Sequence, residues 1–125
     1  MSVVFDTYAW IEYFLGSEKG KIVESYLKEK PITPFIVLLE LSYRADKEGW
    51  DFKKYLDFIK LNSKVTGLTE DFILDFGSLY NKTKRKIPKI GMADIIILMT
   101  SVKENASILT GDSHFKDLKD VIFIG

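Results

Sequence analysis

Four carboxylates stand where the chain's short apolar runs end or where its helices begin. Asp6 closes the run VVF, Asp112 follows SILT and Gly111, Asp94 opens the stretch GMADIIILM, and Glu40 lies inside PFIVLLELSYRA. Each has a plain structural reading. Asp6 and Asp112 suit helix caps, a role worth about 1 kcal/mol. Asp94 suits the orphan amides of a helix start, and Glu40 can pair with Arg44, worth about 0.3 kcal/mol on a surface. Yet Asp94 sits among Ile90, Ile97 and Leu98 with no basic residue three or four positions away, and Ile36, Val37 and Tyr43 share the face of Glu40. A carboxylate in apolar company needs a counter-charge. Several together cannot all ionise unless something positive joins them. A hard divalent cation meets that need through oxygen ligands. One or two such ions also generate a nucleophile from water and stabilise the leaving oxygen at phosphorus. The chemistry that fits is phosphodiester hydrolysis. Asp6, Glu40, Asp94 and Asp112 are its candidate catalytic residues and ligands, for one or two ions such as Mg2+.

Those acids are separated by up to 106 positions, so the fold has to gather them. Val3 to Phe5 read as a buried strand, and Tyr8 to Leu15 as a helix ended near Gly16. Ser17 opens a second helix with Ile22, Val23, Tyr26 and Leu27 on one face. Pro31 to Thr33 are extended. Thr33-Pro34 reads as a helix opening, with a hydroxyl cap and proline in the first turn, running to about Asp46. Phe52, Tyr55, Leu56 and Ile59 keep helical spacing. Lys64 to Thr66 read as a strand, and Thr69 as the cap of a helix with Phe72, Ile73, Phe76, Leu79 and Tyr80 inside. The segment KTKRKIPKIG reads as a basic loop, Met92 to Val102 as an apolar helix, Ser107 to Thr110 as a strand, Ser113 to Leu118 as a short helix and Val121 to Ile124 as a last strand. Short apolar strands alternating with helices predict an α/β fold, in three α/β/α layers around a parallel sheet of about five strands. In such a sheet the strand C-termini share one edge, where ligands bind at the point of strand-order reversal.

Composition narrows the classes. The 125 residues predict a single domain spanning 1–125. No cysteine is present, which removes disulfides, zinc–thiolate sites and thiol catalysis. His114 is the only histidine, so a Ser-His-Asp or multi-histidine metal site is not expected, and His114 reads as structural or surface-exposed. Eighteen basic and eighteen acidic residues argue against coating nucleic acid through bulk charge. No run reaches the roughly 20 apolar residues of a membrane span, and no signal-peptide pattern opens the chain, so a cytoplasmic location without membrane partners is expected.

The segments VVFDTYAWIEYF, PFIVLLELSYRA and GMADIIILMTSVKENASILTGDSHF, in this order and spacing, resemble the PIN-domain ribonucleases, and among them the toxins of VapBC toxin–antitoxin systems. The resemblance covers essentially the whole chain. It implies a magnesium- or manganese-dependent endoribonuclease, with Asp6, Glu40 and Asp94 as metal ligands and Asp112 contributing more variably. It also implies an RNA substrate, a small antitoxin partner and a homodimer. Many relatives carry serine or threonine where this chain has Tyr8, so Thr7 or Thr110 is assigned the hydroxyl near the metal.

Lys82, Lys84, Arg85, Lys86 and Lys89 form a run without an acid. Such a run is ordinarily a solvated loop. Because it leads into the segment bearing Asp94, it is assigned to the RNA backbone. Trp10, Tyr13 and Phe14 are assigned to core or dimer packing, and Trp50 to either a partner anchor or the core. Two alternatives are a non-catalytic RNA-binding scaffold of the same fold and a phosphoacceptor receiver-like domain. The second is disfavoured by the single acid after the first strand and the absence of lysine after the last.

Overall fold

The computed structural model describes residues 2–125. Its elements are β1 (Val3–Phe5), α1 (Thr7–Leu15), α2 (Glu18–Leu27), β2 (Ile32–Pro34), α3 (Phe35–Glu48), α4 (Phe52–Asn62), β3 (Lys64–Thr66), α5 (Glu70–Lys86), α6 (Met92–Lys103), β4 (Ser107–Thr110), a 3-10 turn at Ser113–Phe115, and β5 (Val121–Phe123). The strands form one sheet in the order β3-β2-β1-β4-β5, and every pairing is parallel. This is the predicted three-layer α/β/α arrangement. The chain builds outward from β1 through β2 to β3, then returns to the other side of β1 with β4. The order therefore reverses between β1 and β4, where Val3, Val4 and Phe5 stand opposite Ser107, Ile108 and Leu109.

Burial follows position in the sheet. Central β1 is wholly buried, whereas the edge strands β3 and β5 are not. Trp10 of α1 is fully buried, edge-on to Phe5 and stacked on Phe14. Tyr13 packs edge-to-face against it. Trp50 is half-buried, edge-on to Tyr55 and under the Arg44 guanidinium.

Ile73, expected on the inner face of α5, is 76% exposed. Two further local readings need correction. Thr33 does not cap α3; it belongs to β2, and Pro34 takes the cap position without a side-chain bond. The Thr33 hydroxyl instead accepts from Trp10 Nε1 at 3.1 Å and donates to Ser63 Oγ at 2.9 Å. Burying an indole N–H without an acceptor costs more than a cap gains, so the core claims that hydroxyl. The second correction concerns KTKRK, which is not a loop but the last turns of α5, with only residues 87–91 left between α5 and α6. Lysine and arginine are good helix formers, and cations favour a helix C-terminus.

α1 ends at Gly16, whose φ of 67° suits glycine, and turns directly into α2. The two helices touch closely at Gly20, where an added Cβ would lie 2.1 Å from the Glu12 carbonyl oxygen. Gly20→Ala should therefore destabilise the protein by about 1–3 kcal/mol, read from urea unfolding, because backbone cannot yield as a side-chain tip does. An unchanged midpoint would mean that α1 and α2 slide apart freely.

Candidate metal centre

Asp6 is the first residue past β1. Its Oδ1 accepts from the Ala9 amide at 2.9 Å, capping α1, and its Oδ2 accepts from the Thr110 hydroxyl. Thr110 is the last residue of β4, so this bond crosses the switch point of the sheet. The same hydroxyl accepts from the Asp112 amide at 2.9 Å, which fixes the chain leaving β4. Asp112 caps the 3-10 turn through Oδ1 and the His114 amide, at 2.9 Å. Asp94, in the first turn of α6, accepts from the Gly91 amide at 3.1 Å. Glu40 lies in the second turn of α3 and accepts from the Thr7 hydroxyl at 2.5 Å. It does not pair with Arg44, which bonds Glu48 instead. Asp6, Glu40, Asp94 and Asp112 thus line one cleft of about 270 Å3, together with Thr7, Tyr8, Ile97 and Gly111.

The caps proposed for Asp6, Asp94 and Asp112 are all present, but they do not neutralise the cleft. Among the described residues no lysine or arginine is ion-paired with any of the four acids; the only basic side chain within ion-pair distance of them is His114. Burial pushes the Asp6 carboxyl up to about 7, against the bonds from Thr110 and Ala9, and Asp112 and Glu40 push it in the same direction. Burial also raises Glu40, opposed by the Thr7 hydroxyl and reinforced by Asp94 and Asp112. A site whose buried carboxyls are harder to ionise than free ones is one whose oxygen donors suit a divalent ion.

His114 is the residue that sequence reasoning placed elsewhere. Its Nδ1 lies 3.0 Å from Asp94 Oδ2 and 3.6 Å from Asp112 Oδ1. Asp94, Asp112 and His114 each offer a donor atom, all within 4.8 Å of one another. The available signal was the two-residue step from Asp112, which a 3-10 turn folds back onto one side. Tyr8 lines the cleft with its ring over Gly111. A Cβ on Gly111 would lie 2.2 Å from that ring. The Tyr8 hydroxyl accepts from Lys19 Nζ at 3.3 Å.

The basic run divides. Lys82 and Lys86, one turn apart, line a neighbouring cavity of about 450 Å3 with Leu79, Ile87, Ser113 and His114. Lys84 is turned back onto the Pro88 carbonyl at 3.0 Å and lies over the Tyr80 ring. Arg85 and Lys89 are exposed and line neither space.

An open, wholly parallel α/β sheet that gathers acids from four segments at its point of strand reversal defines the class of this protein. The PIN domain family matches residues 3–121, and the chain belongs to that family. The receiver-like alternative is thereby set aside. Several solved structures share the fold over nearly the whole chain. VapBC2 from Rickettsia felis bound to a DNA fragment from its promoter is 21% identical, covering 99% of this chain and 98% of that one, with a TM-score of 0.74. A toxin–antitoxin complex from Klebsiella pneumoniae is 17% identical over 98% and 96%, with a TM-score of 0.76. VapBC-1 from nontypeable Haemophilus influenzae is 22% identical over 99% and 97%, with a TM-score of 0.69. No curated protein sequence matches the chain significantly. Among the described residues no helix is long and apolar enough to cross a membrane.

Proposed function

We propose that residues 1–125 act as one metal-dependent endoribonuclease domain, the toxin of a type II toxin–antitoxin pair. The observation that carries this reading is the gathering of four carboxylates in one cleft with no lysine or arginine paired to them. A divalent cation, Mg2+ or Mn2+ in one or two copies, would supply the missing charge and activate water for in-line attack on phosphorus. Asp94 and Asp112, whose donor atoms lie within 4.8 Å of one another, would hold the ion. Asp6, locked by Thr110 and the α1 amide, supplies the buried oxygen. Glu40, steadied by Thr7, orients the attacking water and can accept its proton. Hydrolysis leaves a 5′-phosphate product. The test is incubation of RNA with the protein in Mg2+ or Mn2+, with and without EDTA. Cleavage that EDTA abolishes is expected; cleavage indifferent to EDTA, or none on any RNA, overturns the reading.

Lys82 and Lys86 are placed to take phosphates flanking the cleaved one. Each phosphate contact on a single strand contributes about −0.7 to the slope of log affinity against log salt. Replacing both with alanine should make that slope shallower by about 1.4, read by filter binding. Lys84→Ala should leave it unchanged, since that ammonium is occupied by backbone carbonyls. Equal effects at Lys84 and at the Lys82–Lys86 pair would remove the assignment.

The antitoxin complexes among the solved relatives support a small antitoxin as partner, and a cytoplasmic location fits such a pair. Phe35, Leu39 and Tyr43, spaced four apart along α3, are 45%, 50% and 66% exposed. That apolar stripe is the surface we assign to the antitoxin or to a second copy in a homodimer.

A further inference from the structure

We infer that His114 is itself a ligand of the ion, and that the site prefers a first-row transition ion over magnesium. This rests on the metal-dependent reading above and specifies its centre. Three observations carry it. First, the Nδ1 atom stands 3.0 Å from Asp94 Oδ2 and 3.6 Å from Asp112 Oδ1. Neighbouring donors around one six-coordinate ion, with bonds of about 2.1 Å at right angles, stand about 3 Å apart. The His114–Asp94 pair already has that spacing, and all three donors lie within 4.8 Å of one another.

Second, the backbone carrying the imidazole is fixed beside the carboxylates. The His114 amide donates to Asp112 Oδ1 at 2.9 Å, and the Asp112 amide is held by Thr110 at 2.9 Å. Within that turn Nδ1 faces Asp94 and Asp112. Third, the ring is reachable: its side chain is 32% exposed, so an ion entering from solvent meets Nδ1 in place of the hydrogen bond to Asp94.

A nitrogen donor changes which ion is held. Magnesium keeps to oxygen and water, whereas imidazole suits transition ions, whose affinity for mixed nitrogen and oxygen sites rises across the row. The Asp94–Asp112–His114 trio is accordingly a mixed site within an otherwise all-oxygen cleft.

Pulsed EPR of Mn2+ titrated into the metal-free protein tests this without reference to cleavage. A nitrogen coupling typical of directly bonded imidazole is expected. It should vanish in His114→Asn and in His114→Ala, with saturable Mn2+ binding retained but weakened about tenfold. The ratio of Mn2+ to Mg2+ affinities should fall with it, while circular dichroism stays unchanged. Saturable Mn2+ binding without that coupling, or a coupling that survives both variants, overturns the inference alone. Absence of any saturable Mn2+ binding overturns it together with the nuclease reading.

Discussion

Asp94→Asn abolishes RNA cleavage and leaves the helix bearing it in place: this is the first expected result. The amide oxygen of asparagine can still accept from the Gly91 amide, the bond that Asp94 makes at 3.1 Å. The start of α6 is therefore preserved, along with the buried Ile95 and Ile97 that anchor it. What is lost is one negative charge at the mouth of the cleft. Removing a group that stabilises charge at a reacting centre costs about a hundredfold to a thousandfold in rate, and a lost ligand should cost at least that. Single-turnover cleavage under saturating Mn2+ reads it. The variant should also melt no lower than the parent in EDTA, because a repelling charge has gone. Cleavage at the parental rate would remove Asp94 from the mechanism; a collapsed fold would show that the carboxylate is structural.

The metal-free protein should lose stability as pH rises, and a divalent ion should restore it. The Asp6 carboxyl stands at about 7 in the folded protein against 3.8 for the free group. Between those values the folded chain keeps a proton that the unfolded chain has released. Folding then binds protons, so stability is full below the lower value and declines as pH climbs through the upper one. Complete ionisation of Asp6 corresponds to a loss of roughly 4 kcal/mol. Glu40, also raised, acts in the same direction. The melting temperature in EDTA should fall on the order of 10 °C between about pH 4 and about pH 8. Mn2+ should recover most of that fall at the alkaline end, because ion binding to the native state adds to its stability. Asp6→Asn should flatten the pH slope. A melting temperature that instead rises with pH in EDTA would mean that the acids are already neutralised by the protein itself.

The sequence made the sheet and its acidic edge legible for a definite reason. Val3–Phe5 and the Ile108–Leu109 centre of Ser107–Thr110 read as short buried strands; Asp6 follows the first at once, and Asp112 follows the second after Gly111. Gly16 marks the end of α1 because only a residue tolerant of positive φ turns there. What stayed hidden depends on distant partners. Nothing near Thr33 announces that Trp10 and Ser63 will take its hydroxyl, so the local cap signal misleads. The basic run was read by charge when its helical propensity was the better guide. His114 looked idle because a lone histidine is ordinarily idle. Its neighbour Asp94 lies 20 positions away, and only the docking of α6 beside the 3-10 turn brings them together.

The strand order also bears on how such a chain is made. β1 emerges first but lies between β2 and β4, so its second edge stays bare until β4 has been synthesised. Until then Asp6 and Glu40 exist without Asp112 and His114, and the Thr110 hydroxyl that holds Asp6 is missing. Under the function proposed above, a nascent chain still on the ribosome therefore carries an incomplete site, and the pairing of β4 with β1 completes it only late in synthesis.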